Sequence, residues 1–66
     1  MTITVNGETR ESSEGSTLTQ LLDDLGMTGK PVVIELNGEP VLASAHESTV
    51  VPPDARIEII TLAAGG

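Results

Sequence analysis

Thr17-Leu18-Thr19-Gln20-Leu21-Leu22-Asp23-Asp24-Leu25 is the stretch around which the rest of the chain arranges itself. Its leucines recur at the i, i+3, i+4 and i+7 spacing that lays one apolar stripe along a helix. Thr17 and Gln20 stand three residues apart, where each side chain can reach the other's backbone N–H in a capping box. Gly26 follows at the point where a left-handed residue ends a helix without steric cost. Gly29-Lys30-Pro31 then resets the chain direction. A helix with a single stripe needs a single apolar surface to cover, and the flanking segments supply it as strands.

Upstream, Thr2-Ile3-Thr4-Val5 alternates polar and apolar residues, as a half-buried strand does. Asn6-Gly7 tolerates positive φ at both positions and predicts a type I′ turn. Glu8 to Ser12 then reads as a polar return strand on a sheet edge, broken at Glu14-Gly15. Downstream, Val32-Val33-Ile34-Glu35-Leu36 reads as a third strand and Asn37-Gly38 as a second turn of the same kind. Pro40-Val41-Leu42 is a short return strand, confined by its proline to an edge. Ala43 to Thr49 reads as irregular and Val50-Val51-Pro52-Pro53-Asp54 as a turn. Arg56 to Leu62 is the most β-prone segment, and its apolar content places it centrally, parallel to the first strand. Hairpin, helix, hairpin, strand is the order of a β-grasp. The expectation is an α+β fold with a mixed sheet of four to five strands packed on one main helix. Residues 1–62 would form the domain and residues 63–66 a flexible C-terminal tail. The predicted core is Ile3, Val5, Leu18, Leu22, Leu25, Ile34, Leu36, Ile57 and Ile59.

A chain of 66 residues is one domain, with no room for a deep cleft walled on all sides. It contains no cysteine, which excludes disulfides, thiolate nucleophiles and cysteine metal sites, and no aromatic residue, which excludes a stacking platform for bases. Three basic residues against ten acidic ones give a formal charge of −7. Such a surface repels nucleic acid and anionic membranes and steers basic docking faces toward it. Solubility or a salt-adapted source would account for the same acidity. Met1-Thr2-Ile3-Thr4-Val5 lacks the basic stretch and apolar run of a signal peptide, and no segment is long enough to span a membrane. The expected location is therefore the cytoplasm.

Side-chain chemistry is scarce. His46 is the only histidine and, without partners at ligand or catalytic spacing, reads as an exposed loop residue. Lys30 lacks the phosphate-loop spacing, and no serine stands in an Asp-Ser-Leu context for a phosphopantetheine arm. Asp23 and Asp24 oppose the helix dipole in the last turn, which fits a solvated face better than a partner surface. No metal site and no bound cofactor are expected. The remaining candidate is the end of the sequence. Gly65-Gly66 follows the central strand through Ala63-Ala64. A loose end of small residues would read the same way. Chemically, though, a carboxylate becomes a competent acyl donor once it is adenylated. Glycine, having no Cβ, can thread it into a narrow nucleotide site. Gly66 would carry the reacting carboxylate and Gly65 would allow the tail to be recognised. If Ile57 and Ile59 face the helix, Ile60 and Leu62 face away, and Val33 joins them on the open sheet face as an expected partner surface.

These residues together resemble the ubiquitin-like sulfur carriers, and within them the ThiS family of thiamine biosynthesis. The resemblance spans the whole chain. It rests on Thr2-Ile3-Thr4-Val5-Asn6-Gly7, the helix, Val33 to Val41, and Asp54 to Gly66, of which Ala64-Gly65-Gly66 is the most specific element. It implies that an E1-like adenylyltransferase of the ThiF type consumes ATP to adenylate the Gly66 carboxylate. A sulfur donor, such as a cysteine desulfurase persulfide, then gives a thiocarboxylate. A thiazole synthase of the ThiG type uses that sulfur. The chain would be a carrier acted on by these partners and not itself an enzyme. A small subunit of molybdopterin synthase, a ubiquitin-like protein modifier and a plain binding module are the alternative readings.

Overall fold

The computed structural model describes residues 1–62. Strands β1 (Thr2–Val5) and β2 (Glu8–Glu11) form the first hairpin, and helix α1 (Leu18–Asp24) follows. Strands β3 (Val32–Leu36) and β4 (Glu39–Val41) form the second hairpin, and β5 (Arg56–Thr61) closes the sheet. The strand order is β2-β1-β5-β3-β4. β5 is central, parallel to β1 and antiparallel to β3, and both polar return strands lie at the edges. This is the expected β-grasp, a mixed five-stranded sheet with one α-helix.

Both hairpin turns take the left-handed path their sequence demands, with φ of 49° and 82° at Asn6-Gly7 and 51° and 86° at Asn37-Gly38. Their asparagines have a second task that the turn reading missed. The Asn6 carboxamide accepts from the Ile59 N–H at 2.7 Å and donates to the Ile59 carbonyl at 3.2 Å. On the opposite flank, Asn37 Oδ1 accepts from the Arg56 N–H at 2.8 Å, while the Asn37 N–H donates to the Arg56 carbonyl at 2.8 Å. Each turn thus extends the ladder onto β5 with a side chain standing in for backbone.

The helix is short, and its ends are closely tied. The Thr17–Gln20 capping box is formed in both directions, at 2.8 and 3.2 Å. The Leu18 N–H donates to the Thr49 carbonyl and the Thr19 N–H to the His46 carbonyl, so the β4–β5 connection satisfies the remaining first-turn donors. At the other end Met27 donates to the Leu22 carbonyl and Gly26 to the Asp23 carbonyl, with Gly26 at φ 73°. That is the Schellman pattern. Asp23, set against the dipole, accepts from the Thr28 hydroxyl just past the helix.

The core lies between helix and sheet: Ile3, Val5, Ile34, Ile57 and Ile59 from the strands, with Leu18, Leu21 and Leu22 from the helix. Val51 and Ala55, each 1% exposed, join them from the β4–β5 connection, where no periodicity announces them. Leu25 and Leu36, expected in the core, are only half-buried and pack on its margin. Leu25 is the helix C-cap, and Leu36 is the last residue of its strand.

Two readings of the β4–β5 connection are corrected. Ala43–Ala45 forms a 3₁₀ turn. His46, expected to be an exposed loop residue, is 7% exposed. Its backbone carbonyl caps the helix and its Nε2 lies 3.1 Å from the Val41 carbonyl, so it braces the connection against both α1 and β4.

Candidate functional site

β5 leads directly into the candidate site. Alternation with buried Ile57 and Ile59 turns Glu58 and Ile60 to the face opposite the helix, and Leu62 continues the series. The antiparallel register sets Val33 directly across from Ile60 and Glu35 directly across from Glu58. Val33, Ile60 and Leu62 are 39%, 53% and 51% exposed, so the structure brings the three expected surface residues together as one apolar strip. The Leu62 N–H donates to the Pro31 carbonyl at 3.0 Å. This bond anchors the chain at the last described residue. Gly65 and Gly66, with Ala63 and Ala64, lie outside the described residues.

Beside the strip is a feature that the sequence pattern did not reveal. Glu35 and Glu58 are a directly opposed pair of like charges on the open face. Arg56 shares that face two residues before Glu58, yet the one ion pair among the described residues joins the Met1 amino group to Glu11 at 3.6 Å. Neither glutamate stands out in the sequence. Their opposition depends on register, which the two hairpin turns and β5 fix jointly.

The other candidates have structural tasks. His46 is a brace, as described above. Lys30 is exposed in the connection between α1 and β3, and Asp23 is held by Thr28. Among the described residues no group of three or more His, Cys, Asp or Glu side chains is placed to hold a metal ion. Among the described residues no helix is long and apolar enough to cross a membrane. A shallow, polar depression is lined by Glu14, Gln20, Asp23 and Asp24 among others.

The fold and this sheet face define a ubiquitin-like β-grasp module. Comparison with known proteins narrows the class. The sequence model of the ThiS family matches residues 3–66, up to Gly66. The crystal structure of a thiamine biosynthesis protein (ThiS) from Geobacter metallireducens superposes with a TM-score of 0.84 at 32% identity, covering all of both chains. The solution structure of a thiamine biosynthesis protein from the same organism superposes with a TM-score of 0.79 at 33% identity, covering all of this chain and 88% of that one. The whole chain is also 33% identical to part of a thiazole synthase from Paramagnetospirillum magneticum, of which it spans 20% of the length. The chain belongs to the ThiS family.

Proposed function

We propose that this chain carries sulfur for thiamine biosynthesis on the carboxylate of Gly66. The observation that supports this most is the family match, which continues through the Gly-Gly pair instead of stopping at the sheet. A carboxylate oxygen of Gly66 attacks the α-phosphorus of ATP in the site of an E1-like adenylyltransferase, and pyrophosphate leaves. A sulfur nucleophile adds to the resulting acyl carbon, and AMP leaves. Hydrosulfide gives the thiocarboxylate in that one step. A persulfide gives an acyl disulfide, whose S–S bond a thiol reductant then cleaves. A thiazole synthase takes up the sulfur. The similarity to a segment of a thiazole synthase supports that recipient. This chain supplies the reacting carbon, a handle and a tether, and its partners supply the catalysis.

The tether limits the geometry. Four residues beyond Leu62 can span at most about 14 Å. A partner must therefore dock within that distance of its own reacting site. The strip of Val33, Ile60 and Leu62 leads into the tether and is the docking surface we propose for these partners. The test is reconstitution. The chain is incubated with ATP, an E1-like enzyme and a sulfur source, and its intact mass is read. The expected product is heavier by the exchange of one oxygen for one sulfur, and hydroxylamine added before sulfur traps the adenylate. Ile60→Asp should keep its thermal midpoint and bind the adenylating enzyme at least about tenfold more weakly, as loss of an apolar anchor at an interface does. Absence of any mass gain under conditions where the partner turns over a known carrier would overturn the proposal.

A further inference from the structure

We infer that Asn37, and not Asn6, is the position at which the native chain modifies itself, losing its side-chain amide as ammonia and becoming aspartate or isoaspartate. The inference does not depend on the sulfur-carrier reading. Both asparagines of the chain are followed by glycine, at Asn6-Gly7 and at Asn37-Gly38. An amide nitrogen that gives up its proton to base can attack the Cγ of the preceding asparagine. The new C–N bond closes a five-membered imide, the Cγ–Nδ2 bond breaks, and ammonia leaves with a proton from water. Water then opens the imide. Addition at Cγ restores the chain as aspartate, and addition at the backbone carbonyl leaves the chain running through Cγ as isoaspartate. Glycine favours the attack because no Cβ shields its nitrogen.

Sequence alone does not distinguish the two sites, and neither does the turn. Asn6 and Asn37 have φ of 49° and 51°, and Gly7 and Gly38 have φ of 82° and 86°. The difference is the grip on the carboxamide. At Asn6 both of its polar atoms are held in a part-buried setting. Oδ1 accepts from the Ile59 N–H at 2.7 Å, and Nδ2 donates to the Ile59 carbonyl at 3.2 Å. At Asn37 only Oδ1 is held, by the Arg56 N–H at 2.8 Å, and that bond is exposed. Nδ2 of Asn37 has no hydrogen-bond partner among the described residues. The two kinds of bond act in opposite senses on the reaction. A donor at Oδ1 stabilises the negative charge that develops there as the nitrogen attacks. A bond from Nδ2 holds the leaving group and fixes the carboxamide plane, so it must break before Cγ can turn toward the glycine nitrogen. The Asn6 clamp also lies deeper in the sheet, where it extends the β1–β5 ladder, whereas Asn37 stands in the exposed turn leading to edge strand β4. Opening the turn at Asn37 therefore disturbs less of the fold.

The products should differ in their effect. Aspartate keeps an oxygen for the Arg56 N–H and tolerates the left-handed turn, so that form should melt close to the wild type. Isoaspartate lengthens the main chain by one carbon between Leu36 and Gly38, and should melt lower. The experiment ages the native chain in mildly alkaline buffer, with a parallel sample in concentrated urea. Cleavage at glutamate places Asn6 and Asn37 on separate peptides, whose masses report the exchange of one NH for one O. Enzymatic methylation marks the isoaspartate fraction. Conversion in the native chain should be at least about threefold faster at Asn37 than at Asn6, the effect of one additional net hydrogen bond. In urea, where neither carboxamide is held, the two rates should approach each other. Asn37→Gln, which closes its ring far more slowly, should remove most of the native mass gain. The wild-type peptide map decides the question even if that variant folds poorly. Conversion at Asn6 as fast as at Asn37 in the native chain, or no conversion at Asn37, would overturn the inference.

Discussion

The carboxamide of Asn6 makes two hydrogen bonds to the Ile59 peptide from a backbone held at φ 49°. Backbone pairing between β1 and β5 covers only Thr4 with Arg56 and Val5 with Ile57, so this side chain lengthens a short parallel ladder. Two consequences can be separated by substitution. Asn6→Gly keeps the left-handed turn but removes both bonds, and should cost about 1–3 kcal/mol at a net 0.5–1.5 kcal/mol per bond. Asn6→Ala removes the bonds and adds left-handed strain of roughly 1 kcal/mol, and should be the less stable of the two. Urea unfolding of both variants checks this, and an alanine variant as stable as the wild type would show that the clamp contributes nothing. The Asn-Gly signal made the turn legible, but the clamp was not, because it joins residues 53 positions apart. His46 was misread for the same reason. Its burial comes from a carbonyl that caps a distant helix and a ring nitrogen near Val41, and neither contact leaves a mark in Ala45-His46-Glu47.

The helix and the five strands were legible because each has a local period or a local stop signal. α1 is only seven residues long, well below the length at which an isolated helix is stable in water. Its persistence depends on its two caps and on Leu18, Leu21 and Leu22. Leu21, 1% exposed, is a full core residue, so Leu21→Ala should cost on the order of 2–5 kcal/mol, a large share of the stability of a domain this small. Thermal and chemical unfolding of this variant give the number. A cost below about 1 kcal/mol would mean that the helix is not docked as described. The β4–β5 connection was the least legible element. It has no period, yet it contributes Val51 and Ala55 to the core and pairs with Thr17 through Val50. A turn signal such as Pro52-Pro53-Asp54 marks where the chain bends and says nothing about which of its neighbours is buried. On the open sheet face, alternation along β5 was enough to place Ile60 and Leu62. The charge pair beside them required the register between β3 and β5, which alternation within one strand does not fix.

At the scale of the molecule, the fold carries no catalytic constellation among its described residues, and the features proposed to be functional concentrate on one face and one end. The sheet buries its apolar residues against α1 and leaves Val33, Ile60 and Leu62 on the side from which the chain continues to Gly66. On the proposed reading, a partner that grips this face would receive the Gly66 carboxylate within a tether of about 14 Å. The central claim is that the carboxylate of Gly66 is the group that accepts sulfur. The most direct measurement compares the intact mass of the wild-type chain with that of a chain lacking Gly66. Both are incubated with ATP, the adenylating enzyme and a sulfur source, and their thermal midpoints are recorded alongside. The account predicts that the wild type exchanges one oxygen for one sulfur, that the shortened chain gains nothing, and that the two melt together. A shortened chain that still takes up sulfur, or one that no longer folds, would contradict it.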